Sequence, residues 1–217
     1  MTTFDLDQTD LLLSTTRSVR KRLDFDRPVE REVLMDCLRL AVQAPTGSNQ
    51  QGWRWVFVTE PTKRKALADL YREAGSEYLR RTKEAGTGDA QTDRVIDSAS
   101  FLASNLERAP VLLVPCIVGR LEDARPIRAA SFYGSILPAV WSFQLALRSR
   151  GLGSTYTTLH LAFERRAGEL LGIPREVSQA GLLPIAYTKG TDFSPATRPP
   201  VEDIAFWDTR VDVQRDR

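Results

Sequence analysis

Residues 44–53, APTGSNQQGW, separate two elements of regular structure. On the N-terminal side, apolar side chains recur at three- and four-residue steps, which predicts a one-sided helix from Glu30 to Gln43. Ala44-Pro45 ends that helix. On the C-terminal side, residues 53–58 (WRWVFV) are rich in aromatic and β-branched types, which predicts a strand. The segment itself can present backbone groups, hydroxyls and carboxamides to a heteroaromatic ring and a polyol, or it can be an ordinary polar turn.

Helices and a few strands extend outward from this segment in both directions. The predicted elements are a first helix capped by Asp7 or Thr9 and ending near Thr16, a helix from Pro61 to about Tyr78, a polar surface loop over Thr82–Ala90, a helix over Thr92–Arg108, a strand buried on both faces over Val111–Val118, one long apolar helix over Ser131–Arg150, an extended segment over Ser154–Thr158, a helix over Phe163–Leu171 and a strand over Gly181–Tyr187. Helices interleaved with few strands predict a single α+β domain spanning residues 1–217.

Composition limits the classes of function. The net charge is +2, from 30 Lys+Arg against 28 Asp+Glu, and this near balance argues against nucleic acid as the main partner. The sequence has one His, two Cys and no C-x-x-C, so we expect no metal site. Cys37 and Cys116 lie in apolar runs and are predicted to be buried thiols. Without a basic leader or a stretch of about 18 apolar residues, we expect a cytoplasmic protein with no membrane partner.

The turn after the first helix concentrates positive charge. Arg17, Ser18 and Arg20 lie within four residues, and two guanidinium forks with a hydroxyl suit a phosphate monoester. The alternative is a solvated basic patch at a helix C-terminus. Near the end of the chain, Arg198 precedes Pro199-Pro200 and is either a cation held by a stiff segment or an ordinary surface arginine.

A third polar segment follows the apolar helix. Gly151 is a typical C-cap residue, and the hydroxyls of residues 154–158 either face a ligand or belong to a polar loop. His160 is the only histidine, and a structural or surface role is favoured over catalysis. The C-terminal segment keeps Phe193, Ile204 and other large apolar groups, which predicts that it packs on the protein, plausibly on a second subunit.

The order and spacing of these segments resemble the nitroreductase family of flavoproteins. The residues that carry the resemblance are Arg17-Ser18-Val19-Arg20, residues 44–53, residues 151–154 (GLGS), residues 183–187 (LPIAY) and Arg198-Pro199. The likeness extends from Leu11 to Trp207. It implies an α+β fold with a central, mainly antiparallel sheet flanked by helices, and an intimate homodimer with FMN at the interface.

The resemblance also implies roles for particular residues. Arg17, Ser18 and Arg20, joined by Arg198, are expected to hold the FMN phosphate. The ribityl chain and the ring are expected to contact Pro45, Thr46, Gly47, Asn49 and Gln51. The backbone edge facing the reactive flavin nitrogen is expected to come from Thr157, Thr158 and Leu159.

The implied activity is the transfer of electrons from NADH or NADPH to a nitroaromatic, a quinone or another electron-poor small molecule, by ping-pong hydride transfer. The cofactor carries this chemistry, so no side chain is assigned a catalytic role. Departures from the family pattern at Gly52, Thr158 and Ala196 indicate a distinct subgroup. The alternatives are other flavin chemistry in the same fold (dehalogenation, dehydrogenation or flavin breakdown), a non-catalytic flavin-binding protein, and a plain structural domain.

Overall fold

The computed structural model describes residues 4–122 and 125–208. Its helices and strands, in chain order, are α1 (Leu6–Thr15), β1 (Leu23–Asp24), α2 (Arg31–Ala41), β2 (Trp53–Val58), α3 (Pro61–Ala85), α4 (Ala90–Asn105), β3 (Val111–Val118), α5 (Pro126–Gly134), α6 (Leu137–Arg148), β4 (Leu152–Ser154), α7 (Glu164–Leu171), β5 (Val177–Gln179) and β6 (Leu183–Thr188). Short 3-10 turns cover Gly47–Asn49, Leu106–Arg108, Leu159–Phe163 and Val201–Asp203.

The central strand of the sheet is β3, which pairs antiparallel with β2, β5 and β6. The sheet runs in the order β1-β6-β3-β2, with β4 on β6 and β5 on β3. Every strand-to-strand ladder among the described residues is antiparallel. The predicted α+β class with a mainly antiparallel sheet is confirmed.

Strand β3 separates two hydrophobic cores because its side chains alternate between the faces of the sheet. Val111, Leu113 and Ile117 pack with α2 and α6 on one face. Leu112, Val114 and Cys116 pack with α3 and α4 on the other. Residues 111–117 are buried, which confirms a strand covered on both faces. Burial raises the pKa of the Cys116 thiol to about 12, so this buried thiol is inert.

The predicted single helix over Ser131–Arg150 is wrong, because the structure has two helices, α5 and α6, joined at Ser135-Ile136. Pro138 explains the break. In a continuous helix its ring would clash with the carbonyl of Gly134, four residues earlier. In the first turn of α6 the missing N–H of Pro138 costs no intrahelical hydrogen bond.

The predicted loop over Thr82–Ala90 is also wrong, because α3 continues to Ala85 and only residues 86–89 connect it to α4. Ion pairs at helical spacing support this last stretch of α3. Arg80 contacts both Glu77 (2.9 Å) and Glu84 (2.7 Å), three and four residues away. The polar composition that suggested a loop is that of a solvated helix face.

Smaller differences concern caps, one strand and the C-terminal segment. Asp5 caps α1, not Asp7 or Thr9, by accepting a hydrogen bond from the backbone N of Gln8 (3.1 Å). Strands β1 and β5 were not predicted from the sequence, and β4 covers Leu152–Ser154, where Ser154–Thr158 was predicted as extended. Of the apolar groups near the C-terminus, Phe193 packs against its own chain, whereas the Ile204 side chain is exposed. No helix in the described part of the chain has the length and apolar character needed to cross a membrane.

Candidate functional site

The turn after α1 is fixed by a buried residue between polar ones. The backbone N of Val19 donates to the carbonyl oxygen of Ser154 (2.9 Å), and the Val19 side chain is buried. Its neighbours Ser18 and Arg20 line a cavity. This bond and the buried Val19 side chain anchor the arginine-containing turn on the sheet, with Ser18 and Arg20 at the cavity.

The C-terminal segment returns to this turn through Phe193. The guanidinium of Arg22 lies 4.2 Å from the centre of the Phe193 ring, and that of Arg148 lies 4.8 Å from it. Arg17 Nη1 donates to the carbonyl oxygen of Ser194 (2.7 Å). These contacts bring Arg198, which is distant in sequence, into the same cavity as Arg17.

The cavity formed in this way has a volume of about 820 Å³, within the range of roughly 300–1,000 Å³ found for small-molecule and cofactor sites. It is lined by Thr16, Arg17, Ser18, Arg20, Gln91, Arg94, Val95, Ser98, Leu137, Val140, Trp141, Gln144, Tyr156, Pro195, Ala196, Thr197 and Arg198. Four of these residues are arginines and none is acidic.

The four arginines are not paired with carboxylates, although Arg94 interacts electrostatically with Asp89. None of Arg17, Arg20, Arg94 and Arg198 forms an ion pair with another residue of the described chain. Burial lowers the pKa of the Arg20 guanidinium from its usual value. A partly desolvated cation without a carboxylate partner favours binding of an anion from solution.

One wall of the cavity comes from α4 and was missed in the sequence. Gln91, Arg94, Val95 and Ser98 follow the i, i+3, i+4, i+7 spacing of one helix face. The sequence shows that these four residues share one face of a helix. Nothing in the local sequence shows that this face points toward the arginine-containing turn. Only the packing of the α3–α4 hairpin determines that.

Two contacts hold α4 against the turn. Arg20 Nη1 donates to Ser98 Oγ (3.3 Å). Asp97 forms ion pairs with Lys21 on the turn and with Lys83 on α3 (2.8 Å for the latter). Hydrogen bonds from these two lysines lower the pKa of Asp97 to about 2. The carboxylate of Asp97 thus stays ionised and keeps the three segments together.

Another part of the lining is largely apolar and aromatic. Leu137, Val140 and Trp141 extend from α6, and Tyr156 lies beside them. Gln144 Nε2 donates to Ser154 Oγ (3.0 Å), which ties α6 to β4. A cavity lined by both cations and aromatic side chains suits a ligand that joins an anionic group to a ring system.

Residues 44–53 lie beside the junction of α5 and α6, not in the cavity. The backbone N of Gly47 donates to Ser135 Oγ (2.9 Å), and Trp53 Nε1 donates to the carbonyl oxygen of Ser135 (2.5 Å). The expected ligand residues of this segment, Pro45, Thr46, Gly47, Asn49 and Gln51, are absent from the cavity lining of a single chain.

The same segment has an unusual backbone. Ser48, Asn49 and Gln51 have φ values of 53°, 54° and 48°, in the left-handed region that residues other than glycine rarely adopt. Each such residue costs on the order of 1 kcal/mol or more, and clusters of them occur at ligand-binding sites. Gln51 is held by Thr46 Oγ1, which accepts a hydrogen bond from its backbone N (3.2 Å).

Thr157, Thr158 and Leu159 follow the cavity residue Tyr156 but do not line the cavity themselves. The Thr157 backbone N donates to the carbonyl oxygen of Leu182 (3.0 Å), and its hydroxyl is hydrogen-bonded to Tyr71 Oη (3.0 Å). The Leu159 side chain packs on α3 where Gly75 leaves room for it. These bonds give the three residues a fixed place next to the cavity.

His160 is buried completely, so a surface role is excluded. Burial lowers its pKa to about 4, against the smaller opposing effects of Gln179 and Glu164. The imidazole is therefore neutral near pH 7, and His160 is not in the lining of the cavity. Among the residues that the structure describes, no group of three His, Cys, Asp or Glu side chains could hold a metal ion.

The chain is similar to two kinds of characterised protein. It is 26% identical over 194 residues to an iodotyrosine deiodinase of Nematostella vectensis, covering 87% of this chain and 70% of the deiodinase. It is 26% identical over 209 residues to an NADH dehydrogenase of Thermus thermophilus, covering 88% and 91% of the two chains. The chain spans 60% to 70% of the length of the deiodinases from rat and Nematostella.

Solved structures share the fold. An oxidised iodotyrosine deiodinase, bound to FMN and 3-iodo-L-tyrosine, superposes with a TM-score of 0.68 at 24% identity, covering 92% of this chain and 98% of the other. The model of the Nitroreductase family matches residues 13–187, which include the arginine-containing turn, residues 44–53 and the sheet up to Tyr187 of β6. The chain belongs to the nitroreductase family.

Proposed function

We propose that the protein is an FMN-dependent oxidoreductase that takes electrons from NADH or NADPH and reduces a nitroaromatic, a quinone or another electron-poor small molecule. The observation that carries the proposal is the cavity with four arginines and no carboxylate, placed beside an aromatic wall. The membership of the nitroreductase family and the FMN-bound deiodinase of the same fold support the choice of cofactor.

The residues of the cavity fit FMN in both of its parts. A phosphate monoester carries about −1.5 to −2 charges and accepts paired hydrogen bonds from guanidinium forks. Arg17, Arg20 and Arg198, with the Ser18 hydroxyl, would bind this group. Trp141 and Tyr156 offer aromatic surface for a ring system. Bound FMN would supply the capacity to accept and donate a hydride.

The chain's own residues would bind and orient rather than react. The lining contains no Cys, His, Asp or Glu, so it offers no thiol, imidazole or carboxylate that could activate its hydroxyl groups as nucleophiles. The tasks left to the protein are to hold the phosphate, to keep water from the ring and to position the second reactant.

A homodimer would complete the site. Trp141 is 45% exposed and Leu137 is 38% exposed on α6, in the wall of the cavity. The strained segment around Ser48 lies near the N-terminal end of the same helix and does not line the cavity of its own chain. We propose that α6 packs on a second subunit, so that residues 45–51 of each chain reach the cavity of the other.

The test is anaerobic reduction of the FMN-loaded protein. Addition of NADH or NADPH is expected to bleach the flavin absorption, and a quinone or a nitroaromatic is expected to restore it. A protein that takes up no FMN, or whose bound FMN is reduced by neither nicotinamide, would overturn the proposal.

A second candidate is reductive dehalogenation, which the similarity to iodotyrosine deiodinases favours. The assay is release of iodide from 3-iodo-L-tyrosine by FMN-loaded protein that has been reduced chemically. Rapid release of iodide, together with slow reduction by both nicotinamides, would favour this candidate over the first.

A further inference from the structure

The cavity holds more positive charge than the FMN phosphate requires. Three arginines, Arg17, Arg20 and Arg198, suffice for a group that carries about −1.5 to −2 charges. Arg94 is a fourth cation in the same carboxylate-free lining. With FMN bound as proposed, a surplus of about two positive charges would remain, and a like-charged cavity is costly unless a further anion enters it.

Arg94 is free to bind such an anion. It is exposed and makes no hydrogen bond or ion pair with another described residue. Asp89, the N-cap of α4, accepts hydrogen bonds from the backbone N and the hydroxyl of Thr92 (both 2.7 Å) and interacts electrostatically with Arg94 without forming an ion pair. Asp89 therefore does not neutralise the Arg94 guanidinium through an ion pair.

The wall that carries Arg94 is held in place. Asp97 and Ser98, one turn further along α4, bind Lys21 and Arg20 on the arginine-containing turn. Gln91 lies one turn before Arg94 and adds a carboxamide to the same wall. Val95 is 46% exposed beside it and offers apolar contact. A fixed cation with a neighbouring amide and an apolar side chain suits an anionic group attached to an apolar or aromatic body.

We propose that Arg94, assisted by Gln91, binds a carboxylate or phosphate group on the molecule that reacts with the bound cofactor. This inference rests on the proposed function and specifies its substrate class: a co-substrate that carries an anionic group. Two sources share this chemistry. One is an aromatic acceptor with a carboxylate, and the other is the additional phosphate that distinguishes NADPH from NADH.

The experiment measures binding first and turnover second. Dissociation constants of 4-nitrobenzoate and the neutral 4-nitrobenzamide are measured by flavin fluorescence on the oxidised, FMN-loaded protein. KM values for NADPH and NADH are measured on the same preparations. The variants are Arg94→Ala and Arg94→Lys, with Arg31→Ala as a control, since Arg31 is an exposed helix arginine outside the cavity.

If the acceptor carries the anion, wild-type protein binds the nitrobenzoate about tenfold or more tightly than the benzamide, and Arg94→Ala removes that preference. Arg94→Lys retains part of it, because the charge remains while the planar fork is lost. If the donor carries it, Arg94→Ala raises KM for NADPH about tenfold and leaves KM for NADH unchanged. Either result supports the proposal. The control Arg31→Ala is expected to change neither the ratio of the two dissociation constants nor the ratio of the two KM values.

Two results would overturn the inference about Arg94, and only one of them would also overturn the proposed function. If Arg94→Ala retains FMN and its reduction by nicotinamide but alters neither the benzoate preference nor the NADPH preference, the inference about Arg94 is wrong and the proposed function stands. If wild-type protein takes up no FMN, the proposed function and this inference fail together.

Discussion

Arg17 Nη1 lies 2.7 Å from the carbonyl oxygen of Ser194, 177 residues away along the chain. This hydrogen bond joins the turn after the first helix to the C-terminal segment. Together with the contacts of Phe193, it brings cations from the two ends of the chain into one cavity. The candidate site is therefore made by tertiary packing, not by any one motif.

The C-terminal segment depends on Phe193, which lies between the guanidinium groups of Arg22 and Arg148. Replacing it with alanine should lower the free energy of unfolding by about 1–2 kcal/mol, through loss of the two ring contacts and of partly buried area. It should also weaken FMN binding, because Arg198 loses its support. Urea unfolding and an FMN titration measure both effects.

Phe4 provides the matched control, since its ring is 86% exposed and Phe4→Ala should change the free energy of unfolding by less than about 0.5 kcal/mol. If Phe193→Ala bound FMN as tightly as wild type, the C-terminal segment would have no part in the site.

The buried His160 makes stability depend on pH in a defined window. Its pKa in the folded protein is lowered to about 4, below the usual 6.5, so the unfolded chain binds a proton more readily between these values. Stability should therefore fall as the pH drops from 6.5 to 4, by up to about 3 kcal/mol from this group.

The measurement is simple because the chain has a single histidine. Its ring proton resonance in the NMR spectrum should not titrate between about pH 8 and pH 5 while the protein is folded. A midpoint near 6.5 would mean that the imidazole is solvated, contrary to its complete burial.

Gly181 is required by the ring of Tyr156. A Cβ at position 181 would lie 2.5 Å from Tyr156 Cε2 and 2.9 Å from Cζ, and a rigid ring cannot yield as a flexible chain end does. Gly181→Ala should therefore cost about 1–3 kcal/mol of stability and displace an aromatic wall of the cavity, which weakens FMN binding.

Gly134→Ala is the control for that substitution, because a Cβ at position 134 meets no atom within 4 Å. Thermal unfolding and FMN titration of both variants give the comparison. Equal behaviour of the two variants would show that Tyr156 is not packed against residue 181.

Glycine should raise the free energy of unfolding at one position of the strained segment and lower it two residues further along. Ser48 has φ 53°, so Ser48→Gly relieves a left-handed backbone and should raise the free energy of unfolding by up to about 1 kcal/mol. Gln50 has an ordinary φ of −71°, and Gln50→Gly should lower it by about 0.5–1 kcal/mol through the entropy of the unfolded chain.

Urea unfolding of the two variants side by side distinguishes the cases. Destabilisation of similar size by both substitutions would show that residue 48 does not adopt the left-handed conformation in the protein without a ligand.

Elements with strong local patterns could be predicted from the sequence. Strands β2 and β3 have the predicted bounds, because continuous β-branched and aromatic runs between turn residues fix both ends. The break before α6 was missed because the apolar pattern outweighed Pro138. The end of α3 was missed because polar residues at helical spacing resemble a loop in composition.

The site residues also fall into those that the local sequence predicts and those that it does not. Arg17, Ser18 and Arg20 were predicted as a group because they are adjacent in sequence, and Arg198 joined them only through the family resemblance. Arg94 could not be predicted, since nothing local shows where its helix face points. The roles of residues 45–51 and of Thr157–Leu159 remain predictions, because in a single chain they lie outside the cavity.

The central claim is that the arginine-lined cavity binds the phosphate of FMN. The direct measurement is a titration of the cofactor-free protein with FMN and with riboflavin, which lacks only the phosphate, on wild type and on Arg20→Ala. We predict that wild type binds FMN at least about tenfold more tightly than riboflavin and that Arg20→Ala reduces this ratio, since hydrogen bonds to charged groups contribute about 1.5–3 kcal/mol. Equal affinity for FMN and riboflavin in wild type would contradict the assignment of the cavity.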